Sequence, residues 1–369
     1  MRRNKDDMLV EQRKKLLFIV EAMGGGIFTY IVELTNHLCD FMDVYIAYAI
    51  RPQTPENYKS YFDKRIKLIE VKNFTRSVRV IKDIKALFEI KRIARVIRPD
   101  IIHLHSSKAG ALGRWAFNGK KIPLFYTPHG YSFLMMDCAL IRRALFKLVE
   151  TVSSKRSCTT ISCSESEQKE SLKLTRRAVC INNGINILEL QKIVCSAKTD
   201  KSNSYTVFTL GRICGQKDPY LFNEVAMLLP DIHFLWIGDG ELRNMLTAPN
   251  IEITGWVDRE KAIKFALSAD VFLLTSVWEG LPMSMLEAMY MKKVCIVSDT
   301  IGNHDVIHNG INGFVCNGAE AFADAILSVK ENGGQEFIER AFNEVLEKYN
   351  TDTMTRKYID IYMKAISSG

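Results

Sequence analysis

Short runs of β-branched and aromatic residues alternate along this chain with longer stretches whose apolar positions recur at helical spacing. In the first half the runs are 16–20, 43–47, 66–71, 100–104, 124–127 and 159–163; in the second they are 205–210, 233–237, 251–254, 271–275 and 294–297. Helical patterns such as 28–41, 78–97 and 282–291 lie between them. Strand and helix in alternation predict an α/β protein with parallel sheets covered by helices. A polar stretch rich in Ser and Lys, 192–204, is the expected linker between two halves. No short repeat or low-complexity tract interrupts the pattern.

A chain of 369 residues is long for one core and comfortable for two. Its nine cysteines are scattered, odd in number, and form neither a CxxC pair nor a zinc-like cluster with histidine, so buried thiols in a reducing cytoplasm are expected. The first apolar run, 16–20, stops at Glu21, too short for a signal peptide or a membrane span. The expected location is therefore inside the cell. Charge changes the picture more than composition does. Residues 1–185 hold 33 Lys and Arg against 18 Asp and Glu, or +15, whereas the remainder holds 17 against 24, or −7. A basic half suits nucleic acid, an anionic membrane face or a pyrophosphate-bearing acceptor. No zinc finger, RNP-like sequence or recognition helix favours nucleic acid.

Candidate chemistry concentrates at strand ends. Glu279 follows the run 271–275, Gly280-Leu281-Pro282 turns the chain, and Glu287 falls inside the next helical pattern. That places Glu279 at the carboxyl edge of a sheet, where open α/β folds bind ligands, beside a helix start suited to phosphate. Gly211-Arg212 ends another run and Lys217 follows shortly after, a plausible diphosphate clamp of one fork and one mobile cation. Each feature also has a plain reading, as a first-turn acid or an exposed loop cation. Gly24-Gly25-Gly26 after the first run lets backbone approach a ligand, but the spacing is not a dinucleotide fingerprint. His129, between Pro128 and Gly130, reads on its own as a structural histidine. His103 and His105 alternate with Leu104 and so face one side of their strand together.

Taken in order, Gly211-Arg212 with Lys217, Gly238-Asp239-Gly240, Gly255-Trp256-Val257 and the Glu279 to Glu287 segment resemble the donor-binding half of retaining glycosyltransferases of family 4. The N-terminal half adds Gly24-Gly25-Gly26, the segment from Pro99 to His105, and Thr127-Pro128-His129-Gly130, similar to the same family's acceptor half. The segments His105 to Gly110 and Tyr126 to Phe133 most resemble the branch that builds bacterial capsules and O-antigens, and the likeness covers roughly residues 15–365. It implies the GT-B arrangement, two Rossmann-like domains facing across a cleft. Residues 1–185 would form the acceptor domain and 186–350 the donor domain, with the helical pattern 351–366 returning to the first.

The same resemblance implies that Arg212, Lys217, Glu279 and His129 carry the chemistry. Gly25, Gly26, Gly211, Val257, Gly280, Leu281, Pro282 and Glu287 would surround the donor, with Glu287 at its ribose. His105, Lys108, Arg142 and Arg143 are the expected acceptor contacts. The reaction is then transfer of a hexose or N-acetylhexosamine from a nucleotide diphosphate, preferably uridine diphosphate, with retained configuration. The acceptor would be a glycan on a polyprenyl pyrophosphate. No cofactor is expected, and no metal, because the cations and a helix start supply the charge that the leaving group needs. No residue stands out as a covalent nucleophile; the departing phosphate would take the acceptor's proton on the same face. The stretch Tyr131 to Val149 mixes apolar residues with Arg142, Arg143 and Lys147 and suits an anionic membrane surface. In the basic stretch Arg76 to Arg98, Ile81, Ile84, Leu87, Phe88, Ile93 and Ile97 read instead as the core stripe of a covering helix. A nucleotide-sugar epimerase of similar shape and an idle sugar-nucleotide-binding scaffold remain the alternatives.

Overall fold

The computed structural model describes residues 13–21, 23–75, 77–135, 138–197 and 204–367. Its first sheet contains β1 (Lys15–Val20), β2 (Asp43–Tyr48), β3 (Lys67–Glu70), β4 (Ile101–His105), β5 (Leu124–Thr127), β6 (Thr159–Ser162) and β7 (Ala178–Cys180). Their spatial order is β3-β2-β1-β4-β5-β6-β7. The second sheet contains β8 (Thr206–Leu210), β9 (His233–Ile237), β10 (Ile251–Ile253), β11 (Val271–Leu274), β12 (Val294–Ser298) and β13 (Phe314–Cys316), in the order β10-β9-β8-β11-β12-β13. Every pairing within the two sheets is parallel. Both strand orders reverse direction once, between β1 and β4 and between β8 and β11, and it is beyond the carboxyl ends at such a switch that a crevice opens. The glycine loop leaves β1, His105 ends β4, Gly211 follows β8 and Glu279 lies beyond β11.

Alternation along β1 sets the two layers of the first core. Leu16, Phe18 and Val20 face the helix Gly25–Leu38, whereas Leu17 and Ile19 face the helix Val80–Ile97. The last helix, Thr351–Ser367, also belongs to the first core, where Met354, Tyr358 and Tyr362 are buried beside Phe18 and Tyr30. Burial of such side chains is worth about 1.5–3 kcal/mol each. The chain crosses between lobes twice, and the crossings run side by side: Ile185 N–H donates to the Tyr349 carbonyl and Thr351 N–H to the Ile185 carbonyl, both at 2.9 Å. A β-carbon on Gly184 would lie 2.3 Å from the Asn350 carbonyl oxygen, so the Asn-Gly turn is required by the close approach of two backbones.

The structure departs from the sequence expectations in a few places. β7 and β13, three residues each at sheet edges, fall outside the runs named above. The helix Ile187–Ser196 takes the start of the expected linker, and 198–203 lies outside the described residues. In the helix Val80–Ile97, Ala86, Ile90, Ala94 and Ile97 are the buried stripe. Of the expected stripe, Ile97 is buried and Ile93 packs against the core, whereas Ile81, Ile84 and Phe88 face outward, because the covering face is the one that carries Ala86, Ile90 and Ala94.

Candidate active site

The loop after β11 is stitched to the short turn after β8. Thr275 Oγ1 donates to the Lys217 carbonyl at 2.8 Å and Val277 N–H to the Gln216 carbonyl at 2.9 Å. This brings Lys217 Nζ to 2.7 Å from Glu279 Oε1, an oxygen that also accepts from Ser276 Oγ at 2.7 Å. The other oxygen, Oε2, accepts from Gln216 Nε2 at 3.1 Å. Both partners of the ion pair are largely buried, so one cation and two neutral donors fix the carboxylate. Gly211, at φ 148°, leaves room for the lysine: a β-carbon there would lie 3.3 Å from Lys217 Cε. Arg212 lies 3.8 Å from Glu241 and keeps a quarter of its side chain exposed. Val257 packs against the second core, below the exposed Trp256.

The two lobes meet at Gly280. A β-carbon on it would lie 2.9 Å from Cys163 Sγ, 3.0 Å from Gly130 N and 3.1 Å from the His129 carbonyl carbon. The donor-side turn is therefore pressed against the His129-Gly130 turn, both of whose residues have positive φ, 56° and 90°. Glu167 holds that turn from behind, accepting from Gly130 N–H and Cys163 N–H at 2.7 Å each. Burial pushes its pKa up, and those N–H donors oppose the shift. Asn183 adds a further link, its Nδ2 donating to the Leu281 carbonyl at 2.8 Å. Leu281 and Pro282 are buried, and Pro282 directly precedes the helix Met283–Tyr290.

His129 Nε2 lies 3.0 Å from His105 Nδ1, the two rings stacked. Burial lowers the His129 pKa to about 3, so the imidazole is neutral at physiological pH. His103 and His105 do share a face, their centroids 4.0 Å apart. His103 bonds Tyr362 OH through Nδ1 at 2.6 Å and Thr127 Oγ1 through Nε2 at 2.9 Å, tying the last helix to the floor beneath His129.

Some expected contacts have other partners. His105 is wholly buried against Phe18 and His129, out of reach of an acceptor. Lys108 is consumed by Asp83 at 2.6 Å and by the Thr75 and Ser77 carbonyls, because an ammonium beside three oxygens stays with them. Arg143 Nε donates to the Phe133 carbonyl at 3.0 Å, while Arg142 is exposed. Gly25 and Gly26 face open space at the start of a helix with no side-chain cap, which leaves first-turn N–H groups available. Glu287 is buried and ion-paired with Arg259 at 2.9 Å. Sequence reasoning passed over Ser276, Gln216, Glu167 and Arg259. The first two adjoin named residues; the other two are fixed by contacts distant in sequence.

Two parallel α/β lobes, with a lysine–carboxylate pair on one rim and the neighbouring Gly280 pressed against a histidine turn on the other, have the arrangement of a GT-B glycosyltransferase. Residues 24–188 match the family model described as Glycosyltransferase Family 4, and residues 204–332 match that described as Glycosyl transferases group 1. The chain is 29% identical over 344 residues to the UDP-Gal:alpha-D-GlcNAc-diphosphoundecaprenol alpha-1,3-galactosyltransferase of Escherichia coli, covering 83% of this chain and 86% of that protein. It is 21% identical over 374 residues to the N,N'-diacetylbacillosaminyl-diphospho-undecaprenol alpha-1,3-N-acetylgalactosaminyltransferase of Campylobacter jejuni, covering 94% and 97%. Sucrose-phosphate synthase of Thermosynechococcus elongatus shares the fold with a TM-score of 0.81 at 16% identity, over 97% of this chain and 100% of that one. HepE of Anabaena, solved with UDP and glucose, does so with a TM-score of 0.74 at 14% identity, over 95% and 100%. The chain thus carries a Glycosyltransferase Family 4 domain followed by a Glycosyl transferases group 1 domain.

Proposed function

We propose that the protein transfers a sugar from a UDP-sugar to a glycan carried on polyprenyl pyrophosphate, in the assembly of a bacterial surface polysaccharide. The observation that carries this reading is the Lys217–Glu279 pair lodged where Gly280 meets the His129-Gly130 turn. A donor whose diphosphate lies beside Lys217, Arg212 and the helix start at Gly25 and Gly26 would lose its nucleotide with the developing charge met by groups already in place. The first lobe then takes the acceptor and the second the donor. Retention would need no enzyme nucleophile if the departing phosphate takes the acceptor's proton on the same face, and the carboxylate's surroundings are compatible with that. Glu279 is occupied by Lys217, Ser276 and Gln216, which suits it to orient sugar hydroxyls rather than attack the anomeric carbon.

Leaving-group stabilisation by cations and helix starts assigns no step to a divalent metal. Among the described residues no helix is long and apolar enough to cross a membrane. Approach to a lipid-borne acceptor is supported instead by the outer face of the first lobe. Ile141, Leu145 and Leu148 on the helix Leu140–Ser154, Ile81 and Phe88 on Val80–Ile97, and Trp115 between them are exposed. On Leu140–Ser154 it is Glu150 and Ser153 that are buried, the reverse of an ordinary covering helix. Nearby lysines and arginines would each add about 1 kcal/mol near an anionic surface. The test is UDP release from a panel of UDP-hexoses and UDP-N-acetylhexosamines, with and without polyprenyl-diphosphate-linked sugar, in EDTA. Acceptor-dependent release with an α-linked product supports the reading. Conversion of donor without acceptor means an epimerase; tight binding without turnover means a scaffold.

A further inference from the structure

Glu287, the carboxylate assigned to the donor's ribose, does not stand alone. Arg259, the first residue of the helix Arg259–Ser268, reaches it with Nη2 at 2.9 Å. The same guanidinium lies 3.6 Å from Glu189, in the helix Ile187–Ser196, and 3.6 Å from Glu33, in the helix Gly25–Leu38 of the other lobe. Four helices from both lobes thus deliver one cation and three carboxylates to one seam, in which Glu33 and Glu287 are almost wholly covered while Glu189 stays partly exposed. Nε and Nη2 of Arg259 are buried and make no aligned hydrogen bond, so the cation is shared rather than committed.

We infer that Arg259 is a positioning residue for the donor, holding Glu287 in place for the ribose diol while Glu33, across the lobe seam, competes for the same guanidinium. The inference rests on the reading of Glu287 as the ribose contact. An arginine on Oε1 leaves Oε2 free to accept from a diol and pins the side chain against rotation. Without Arg259 the carboxylate would be a buried, unpaired charge.

Glu33 makes the arrangement responsive to pH. Burial raises its pKa to about 8; Arg259 and an Asn186 hydrogen bond oppose that shift, and Glu189 and Glu287 add to it. Tyr61 also faces Arg259. At neutral pH Glu33 holds its proton and Arg259 serves Glu287. Above about pH 8 Glu33 ionises, draws the guanidinium toward the first lobe, and donor affinity falls while the chemistry at Lys217 is untouched. The sign for stability is the same. The folded state keeps a proton that the unfolded chain has released, so stability falls as pH rises from the usual glutamate range to about 8.

Calorimetry with UDP and with 2′,3′-dideoxy-UDP separates the parts, together with donor KM and kcat from pH 6.5 to 9.5. The wild type should bind UDP ~10-fold more tightly than the dideoxy nucleotide, or more. Arg259→Gln should lose most of that preference and raise donor KM ~10-fold with a far smaller change in kcat, and Arg259→Lys should recover part of it. Glu33→Gln should abolish the alkaline rise in KM and melt above the wild type at pH 9 but not at pH 4. Equal binding of both nucleotides by the wild type overturns the ribose reading and this inference with it. If the wild type discriminates and Arg259→Gln discriminates equally well, the ribose reading stands and the inference is wrong. Should Arg259→Gln not fold, Glu33→Gln decides: a KM that still rises above pH 8 overturns the competition for Arg259.

Discussion

Replacing Gly280 by alanine tests whether the two lobes work in the contact seen between them. The new methyl would sit 2.9–3.1 Å from Cys163 Sγ, Gly130 N and the His129 carbonyl carbon, all on the opposite lobe. Optimal contacts of this kind are ~3.5–4.0 Å, so relief requires a displacement of roughly 0.5–1 Å. Two of the three neighbours are backbone and cannot rotate away. Overpacking of this size costs ~1–3 kcal/mol, but here the lobes can part and convert the cost into misplacement of His129. A shift of ~1 Å in an active site is worth ~10²-fold in rate, so a loss of ~10- to 100-fold in kcat/KM is expected, ~1.4–2.8 kcal/mol in the barrier. Binding of UDP and the melting temperature should change little, since each core is intact. Steady-state kinetics beside thermal melts make the measurement. Gly310→Ala is the control: at φ 70°, with nothing near its β-carbon position, it should cost ~1–2 kcal/mol of stability and no rate. A Gly280→Ala enzyme with wild-type kcat/KM would refute the reasoning, because the two turns could not then be in contact during turnover.

Other outcomes are as definite. Lys217→Met leaves Glu279 buried with only neutral donors, and removing one partner of such a pair costs ~3–5 kcal/mol, read as a lower melting temperature together with lost turnover. Adding Glu279→Gln should restore stability in the double variant without restoring activity. Tyr362→Phe strips a hydrogen bond from buried His103 and should lower stability by ~1–3 kcal/mol in denaturant titrations, while UDP affinity stays as it was. Ile141→Ser with Leu145→Ser, both at exposed positions, should change stability by no more than ~0.5 kcal/mol each yet weaken sedimentation with anionic vesicles; unchanged sedimentation argues against that face.

Much of this architecture was legible because β-branched runs and helical spacing are local signals. Eleven of the strands lie on runs visible in the sequence, whereas β7 and β13 are three-residue edges that exist only through their neighbours. Lys217, Glu279, Gly280 and His129 were found at strand ends, but not the facts that Lys217 closes on Glu279 or that Gly280 touches the His129 turn. Glu167 and Arg259 left no local signal: an acid in a first turn and an arginine after an aspartate are ordinary until folding buries them. His105 and Lys108 misled for the converse reason. A polar side chain near a motif looks available until the fold supplies Phe18 and His129 for one, and Asp83 with two carbonyls for the other.

The last helix has a consequence for how the molecule is made. Tyr358 and Tyr362 plug the floor of the first sheet, yet they are translated after every strand of the second. As the nascent chain emerges, residues 15–180 have all their strands but lack the tyrosines of the last helix, whereas the second core, which draws on Ile185, Leu190 and Tyr349 beside residues 206–348, has its residues before that helix is made. The later-synthesised lobe therefore has its core residues complete first, and the earlier one lacks, until synthesis ends, the helix that covers Phe18 and His103.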